Sequence, residues 1–551
     1  MLKTYQWPFS AFLLYALAYF ALLYHPGMLR YDDFGYLQSV IETIIRGRPF
    51  THDWLAPYTA SSSSLAAWTY SLTGNFPLST WGLQSLFVLA NFLLLMRLLR
   101  INLSWRDSSC MGLVIATQPI YWYKCSEFGG NTFTFSFVMA ALIAYHQRRW
   151  IWFFGLVFIA FANRQNSIAL LALPIYHLIF ERAGTNKKML VGGLILFLFS
   201  SVLLHLNLNR SYAQMHSIYS TVDSESILNI GKSILVGFFL ALSFLSLFQA
   251  LLGSRVWINF QTNYRNPWTP GIATALFLLL YLFGVQPLVD FQAPFIGSLD
   301  HAGQIQYLLL AVIPVLLWVL NWKSLRFNVW LCLAGSYIII TSMRGFWFDI
   351  YLLDIGLVVF IYSLSQESPQ ALTRATFPVL LVSLLAHLFW GYGYKIMCDK
   401  NLLSNQVYEN LEREGRVDVE NMTDATFGYD GWKLFDYSRV NEPFTNFGAF
   451  LRHIRMERVV IDTELPWRRK FKRKVQPGSE ILKEGMARIG FLSLRYRVMD
   501  LHSDREESIG IGSRLSIDKE KYHKKSYPLN RQEWTQYISA LKSGQEFILK
   551  N

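Results

Sequence analysis

The sequence predicts an all-α polytopic membrane bundle of about thirteen transmembrane helices over residues 1–394, followed by a soluble α+β domain over residues 395–551. Three observations predict it. Apolar residues make up 53% of the 551 positions and charged residues only 16%, a balance suited to a bilayer as solvent. Apolar runs of spanning length recur from the N-terminus to about residue 394. Beyond that point the chain reads as ordinary polar protein.

The expected spans are 8–29, 80–97, 109–124, 131–147, 150–163, 167–181, 189–206, 231–252, 271–289, 305–321, 328–342, 347–364 and 375–394. The runs at 150–163 and 167–181 are short for a crossing, so tilted, re-entrant or bundle-buried segments fit them as well. The first run is too long for a signal-peptide core and lacks a small-residue cleavage site, which makes it a retained anchor. Lys and Arg gather in alternate loops: Arg97, Arg100 and Arg106; Arg148 and Arg149; Arg182, Lys187 and Lys188; Arg255 and Arg265; Lys323 and Arg326; Arg374. By the positive-inside rule that side is cytoplasmic. An odd number of spans then puts the N-terminus inside and the C-terminal domain outside, the periplasm if the membrane is a bacterial inner membrane. The net charge of +13 is accounted for by these loops and the tail, and not by nucleic-acid binding. Cys110 and Cys125 bracket one expected span, so about 22 Å of helix separates them, beyond disulfide reach. Only Cys125 and Cys398 share the outer side.

The outer loop 30–79 is the longest of the membrane half. Tyr36 to Ile45 carries apolar residues at helical spacing and ends on Arg46 and Arg48, which predicts an amphipathic helix on the membrane face. Ser61 to Tyr70 predicts a second helix. In the tail, 402–414 and 531–542 read as helices, and Val459 to Ile461 and Leu492 to Val498 as strands. The basic run Arg468 to Lys474 is a solvated loop or a contact for anionic lipid or glycan. Asn102, Asn209 and Asn421 begin glycosylation sequons, of consequence only in a eukaryote.

Asp32 and Asp33 follow the first span. A carboxylate at the water–membrane boundary suits a general base, because partial desolvation favours its protonated form; an N-cap pair for the next helix is the plainer role. Arg164, Arg344 and Lys124 stand at outer span ends, where cations either bind phosphate or anchor the helix at the interface. Glu127 shares a loop with Lys124. Asp354 falls inside the span 347–364, where a carboxylate is costly and functional by default. Asp300-His301 with Gln304 lacks enough partners for a metal site, although an acidic pair can recruit a divalent cation such as Mg or Mn.

The order of these features resembles the GT-C glycosyltransferases: a paired acid after the first span, a long outer loop with surface helices, then many spans. Tyr31-Asp32-Asp33, Gly47-Arg48-Pro49-Phe50, Asp53-Trp54, Pro57 and Ser61 to Gly74 are similar to the opening of the serotype-converting O-antigen glucosyltransferases of bacteria and phages. Lys124-Cys125-Ser126-Glu127 and Arg164-Gln165-Asn166-Ser167 are similar in placement to later outer-loop motifs of that family. The resemblance covers about the first 170 residues and is architectural from there to about 394. It implies a polyprenyl-phosphate-linked sugar as donor and a glycan, of O-antigen or lipid-linked type, or a protein as acceptor. Asp32 or Asp33 would act as base, Arg164, Arg344 and Lys124 would bind the donor phosphate, and Asp53, Trp54, Tyr58, Glu127 and Gln165 would contact substrate. Trp54, Tyr58 and Trp68 equally suit the interfacial aromatic belt, and His52 suits a polar surface loop. Two other polytopic functions stay open: a transporter or flippase of lipid-linked saccharide, which Asp354 favours, and an O-antigen polymerase or ligase.

Overall fold

A computed structural model of the chain describes residues 2–24, 31–49, 60–126, 128–180, 187–207, 327–343, 351–366 and 377–392. It also describes strands at 289–290, 347–348, 433–434, 459–463, 480–489, 492–500 and 525–526, and helical positions at 230–241 in part, at 395, and at 536–543 in part. The expected spans at 271–289 (but for Val289) and 305–321, most of 231–252, and the expected helix at 402–414 lie outside the described residues. The chain divides into two compact units: residues 1–24, 56–62 and 83–391 form the first, and residues 25–55, 63–82 and 392–551 the second.

In the first unit α1 (Leu2–Leu22) opens the bundle. Then come α4 (Leu83–Leu99), α5 (Trp105–Ala116), α6 (Pro119–Ser126), α7 (Gly130–His146) and α8 (Trp150–Phe161). A 3-10 segment (Gln165–Leu171) leads into α9 (Ala172–Phe180), followed by α10 (Lys187–Asn207), α11 (Val329–Ser342), α12 (Tyr351–Gln366) and α13 (Phe377–Tyr392). Helix α7 packs on α4 and α8, α1 on α4 and α5, and α11 on α12, α9 and the 3-10 segment. The interior is aromatic: Tyr15, Tyr19, Phe92, Trp122, Phe133, Phe153, Tyr337 and Phe360 are fully buried. The rings of Tyr15 and Phe92 stack at 4.6 Å. The outside is apolar too. Leu13, Leu17 and Phe20 of α1, Ile195, Phe199, Val202 and Leu206 of α10, and Val382, Leu385 and Phe389 of α13 are exposed. Helices apolar both within and without need hydrocarbon around them, because water would drive such faces to associate.

Two described helices, Leu78–Leu99 and Lys187–Leu204, are long and apolar enough to cross a membrane. The other described spans are shorter or broken. The run expected at 109–124 is two helices, because Pro119 has no N–H and disfavours helical backbone at the residue before it. The run expected at 347–364 begins as a strand: β2 (Trp347–Phe348) pairs in parallel with β1 (Val289–Asp290), and α12 starts only at Tyr351. The run expected at 167–181 is the 3-10 segment plus α9. The longer rise of 3-10 residues lets Gln165–Phe180 reach about 27 Å, close to the ~30 Å hydrocarbon thickness.

The second unit holds α2 (Tyr31–Arg46) and most of α3 (Ala60–Thr73). In α2, Leu37, Val40 and Ile41 are buried, while Glu42 and Arg46 form an exposed i,i+4 ion pair at 2.8 Å. Each helix ends on a left-handed glycine, Gly47 (φ 64°) and Gly74 (φ 57°), whose N–H groups bond to Thr43 O and Tyr70 O. Both expected helices of the loop 30–79 are thus present, and α2 begins five residues before Tyr36. In the tail, β4 (Val459–Thr463), β5 (Glu480–Ile489) and β6 (Leu492–Asp500) form an antiparallel sheet in the order β4-β6-β5. The strands at 459–463 and 492–500 cover the two expected ones. Strands β3 (Lys433–Leu434) and β7 (Lys525–Ser526) pair separately. Of the helix expected at 531–542, Gln536, Ile538 and Ser539 are described, and all are helical.

At Gly391 the backbone of α13 lies against the Trp122 ring of α6. A Cβ there would meet the Trp122 ring at 2.5 Å and Leu22 Cδ1 at 3.2 Å. Gly391→Ala should therefore destabilise the protein by about 1–3 kcal/mol, the cost of overpacking a filled interior. Gly155→Ala, whose Cβ meets nothing within 4 Å, should be neutral or slightly stabilising through helix propensity. Thermal unfolding of both variants in one detergent checks the contrast.

Candidate active site

The polar residues of the first unit converge where the start of α7, the end of α8 and the start of α12 meet. Asn163 and Arg164 leave α8, and Arg164 adopts extended backbone (φ −157°, ψ 117°) before the 3-10 segment begins. That bend turns Asn163 toward α7. Its Nδ2 donates to Gly130 O and, at 2.9 Å, to Thr134 Oγ1, while its Oδ1 accepts from Ser62 N at 3.3 Å. Asn166 donates through Nδ2 to Thr341 Oγ1 of α11 at 3.3 Å. On the other flank of α7, Gln84 Nε2 donates to Thr132 Oγ1 at 2.7 Å and Cys125 O at 3.3 Å. Asn91 Nδ2 donates to Thr132 O at 3.0 Å, and Ser136 Oγ donates to Asn91 Oδ1. All four amide side chains are buried, so each bond replaces hydration that neither lipid nor the packed interior supplies.

The charged centre of this region is an ion pair. Arg164 Nη1 lies 3.5 Å from Asp354 Oδ2, with side-chain exposures of 12% and 4%. Asp354 sits in the first turn of α12 and not deep within a span. The late start of the helix at Tyr351 is what brings the carboxylate to the level of Arg164. Two unit charges this far from water are tolerated only as a pair. Beside them is a cavity of about 10 Å³, roughly the room of one water, lined by Tyr121, Asn131, Thr132, Phe135, Arg164, Leu353 and Asp354. It opens between polar groups of three helices, and its walls can hold a small polar group against a matched pair of charges.

The other expected site residues divide into three sets. Asp32 and Asp33 occupy the first turn of α2 in the second unit. They lie within the helix and not ahead of it as caps, at positions where the helix dipole favours negative charge. Lys124 lies in the short α6, and Gln165, half-buried, opens the 3-10 segment. Asp53, Trp54, Tyr58, Glu127 and Arg344 lie outside the described residues, as do His52, Asp300, His301, Gln304 and Cys398. Among the described residues no three His, Cys, Asp or Glu side chains come together. Cys110, Cys125 and Cys332 are free thiols.

Several residues of the site escaped the sequence analysis. Gln84 and Asn91 are seven apart in an apolar run, which places them two helical turns apart on one face. An amide pair at that spacing inside a span was a readable signal. Thr132, Thr134 and Ser136 alternate with Phe133, Phe135 and Phe137, a pattern that resembles a strand more than a helix and hides the polar flank of α7. The pairing of Arg164 with Asp354, 190 positions on, had no local signal.

The chain matches no protein-family model and no curated protein. Two solved structures are similar over most of its length. Crystal structures of ArnT from Cupriavidus metallidurans, one bound to undecaprenyl phosphate and one in the apo state, align at a TM-score of 0.34. Identity is 13% and 14%, with 73% and 72% of this chain and 80% and 79% of those chains covered. A likeness that slight assigns neither a fold class nor an activity.

If the ion pair is held as a unit, each single removal leaves a buried charge alone. Asp354→Asn should cost about 3–5 kcal/mol, and Arg164→Gln a similar amount. The double variant should be less damaged than the sum of the two, with a coupling of about 1–3 kcal/mol. A double-mutant cycle on unfolding in detergent measures this, and strict additivity would show that the two side chains do not depend on each other.

Proposed function

We propose that this protein is a membrane glycosyltransferase of GT-C type. It moves a single sugar from a polyprenyl-phosphate-linked donor to a glycan or protein acceptor at the outer face of the membrane. The observation that carries the reading is the placement of Asp32-Asp33 in the first turn of an amphipathic helix that follows directly on the first apolar helix. That helix lies at the head of a segment resembling the serotype-converting O-antigen glucosyltransferases.

In this reading one carboxylate of the pair removes the proton of an acceptor hydroxyl. The oxygen attacks the anomeric carbon and forms the new glycosidic bond with inversion. The bond from that carbon to the lipid phosphate breaks, and the phosphate leaves with the electron pair. Such a leaving group needs cations, not a proton. We assign that duty first to Lys124 and Arg344, since Arg164 already shares its charge with Asp354. Arg164 then acts through the pair, by fixing the end of α8 and the start of α12. Gln165, Glu127, Asp53, Trp54 and Tyr58 stay as candidate contacts to sugar and acceptor. No step is assigned to a divalent cation.

The test is glycan mass analysis of cells expressing wild type, Asp32→Asn or Asp33→Asn at matched membrane levels. Wild type should add the mass of one hexose or pentose. One of the two substitutions should lower transfer by about 10²–10⁴-fold, the usual loss on removing a general base, while the other has little effect. If no glycan or protein pool gains mass although the donor pathway is present, the transferase reading fails. Transport of a lipid-linked saccharide would then take its place: a buried ion pair beside a helix broken by a 3-10 stretch also suits that function.

A further inference from the structure

A second cavity of the first unit is remote from Arg164. It has about 390 Å³ of space and lies at the far end of α7. Arg97 and Arg100 reach it from the end of α4, Trp105 from the start of α5, and His146 and Gln147 from the end of α7; Ile101 and Ile143 complete its lining. No acidic side chain lines it, and none of the ion pairs among the described residues involves Arg97, Arg100 or His146. Asp107, the nearest acid in sequence, is buried in the first turn of α5, and its carboxylate accepts from Oγ of the N-cap residue Ser104 at 2.7 Å.

Cations at the cytoplasmic ends of spans are ordinary, and most of them point into water. Arg100 does not. Its Nη1 donates to Leu103 O at 2.8 Å, and its guanidinium stands 5.4 Å from the centre of the Trp105 ring. Its Nε is buried and has no hydrogen-bond partner among the described residues. A guanidinium fixed on two sides at the wall of a cavity is already ordered for a ligand, so little rotamer entropy is left to lose on binding. The C-termini of α4 and α7 bring about half a negative charge each. Two arginines outweigh them, and the N-terminus of α5 adds positive potential. The cavity also has a defined depth. Arg97 is in the last turn of a helix long and apolar enough to cross the membrane, which sets the pocket at the hydrocarbon boundary, where headgroup phosphates lie.

We propose that this pocket binds a phosphate-bearing anion, met in the membrane as the headgroup of an anionic phospholipid. Arg97 and Arg100 take the phosphate, Gln147 and His146 face the polar part of the headgroup, and Ile101 and Ile143 receive the first carbons of the lipid. The proposal stands apart from the transferase reading and survives its failure.

Native mass spectrometry of the full-length protein, delipidated in detergent and then offered phosphatidylglycerol or phosphatidylcholine, tests it. Wild type should retain phosphatidylglycerol in preference to phosphatidylcholine. Arg97→Gln/Arg100→Gln should lose about tenfold or more in that preference, at roughly one kcal/mol per basic side chain near the lipid surface. Arg97→Lys/Arg100→Lys should keep part of it, and Lys188→Gln, an exposed cation outside the pocket, all of it. Equal melting of wild type and the variants in phosphatidylcholine discs shows that the variants are folded. A parallel arm offers inorganic phosphate alone. Stabilisation by phosphate that depends on Arg97 and Arg100, with no phosphatidylglycerol retained, supports the anion site and assigns it a soluble source. The proposal is overturned if the double glutamine variant keeps the wild-type preference, or if Lys188→Gln loses as much.

Discussion

Lipid donates and accepts no hydrogen bonds, and the organisation of the first unit follows from that. Gln84, Asn91, Asn163 and Asn166 are four amides in apolar surroundings, and each must find its partners on a neighbouring helix. The partners are mostly backbone carbonyls and hydroxyls at the beginning of α7: Gly130 O, Thr132 O, Thr132 Oγ1 and Thr134 Oγ1. Helix α7 is therefore clamped from both flanks, by α4 on one side and by the turn after α8 on the other. The first turns of a helix suit this, since its opening residues have the least prior claim on one another's polar groups.

The same constraint explains how broken helices are tolerated here. Between α8 and α9 the chain abandons the regular α-helix for three extended or turn residues and a 3-10 stretch. The freed polar groups are met locally, with Ser167 N bonding to Arg164 O and Arg164 N to Ala160 O. Asn163 and Asn166 meanwhile tie the break to α7 and α11. The break does what a continuous helix could not. It aims the side chain of Arg164 sideways, toward the start of α12, where Asp354 waits in its first turn. A buried pair of this kind adds little net stability, since desolvation offsets most of the attraction. What it adds is position, because each charge forbids the other to move far.

Much of this architecture was legible because hydrocarbon imposes long apolar runs. The helices at 83–99, 130–146, 187–207 and 329–342 fall within a few residues of expectation. Helix α2 was legible from spacing, since Leu37, Val40 and Ile41 share one buried face. Where the reading failed, composition could not distinguish the alternatives. Trp347 and Phe348 are as apolar as any helix start, so hydropathy alone placed Asp354 too deep. Its partner was invisible for a different reason: ion pairs between distant segments leave no periodic trace. The amides of α4 were legible in principle, as two polar positions on one helical face, but an apolar average over the run conceals them.

Helix α7 also joins two regions of opposite electrostatic character. Its 17 residues separate them by about 25 Å. At Gly130 the charges are matched, Arg164 against Asp354, and the region can be buried because its net charge is zero. At His146 the cations Arg97 and Arg100 are unmatched by any acid lining their cavity, a state that persists only where water or an anion is at hand. A chain that must be inserted in one orientation needs that asymmetry, because unmatched cations resist translocation and matched pairs do not. Orientation requires only that the cations be present, however, and makes no demand on how they are arranged. The hold of Leu103 O and Trp105 on the Arg100 guanidinium is additional order, and the convergence of three helices on one cavity is more again. Order beyond what insertion demands is what separates a binding pocket from an anchoring loop.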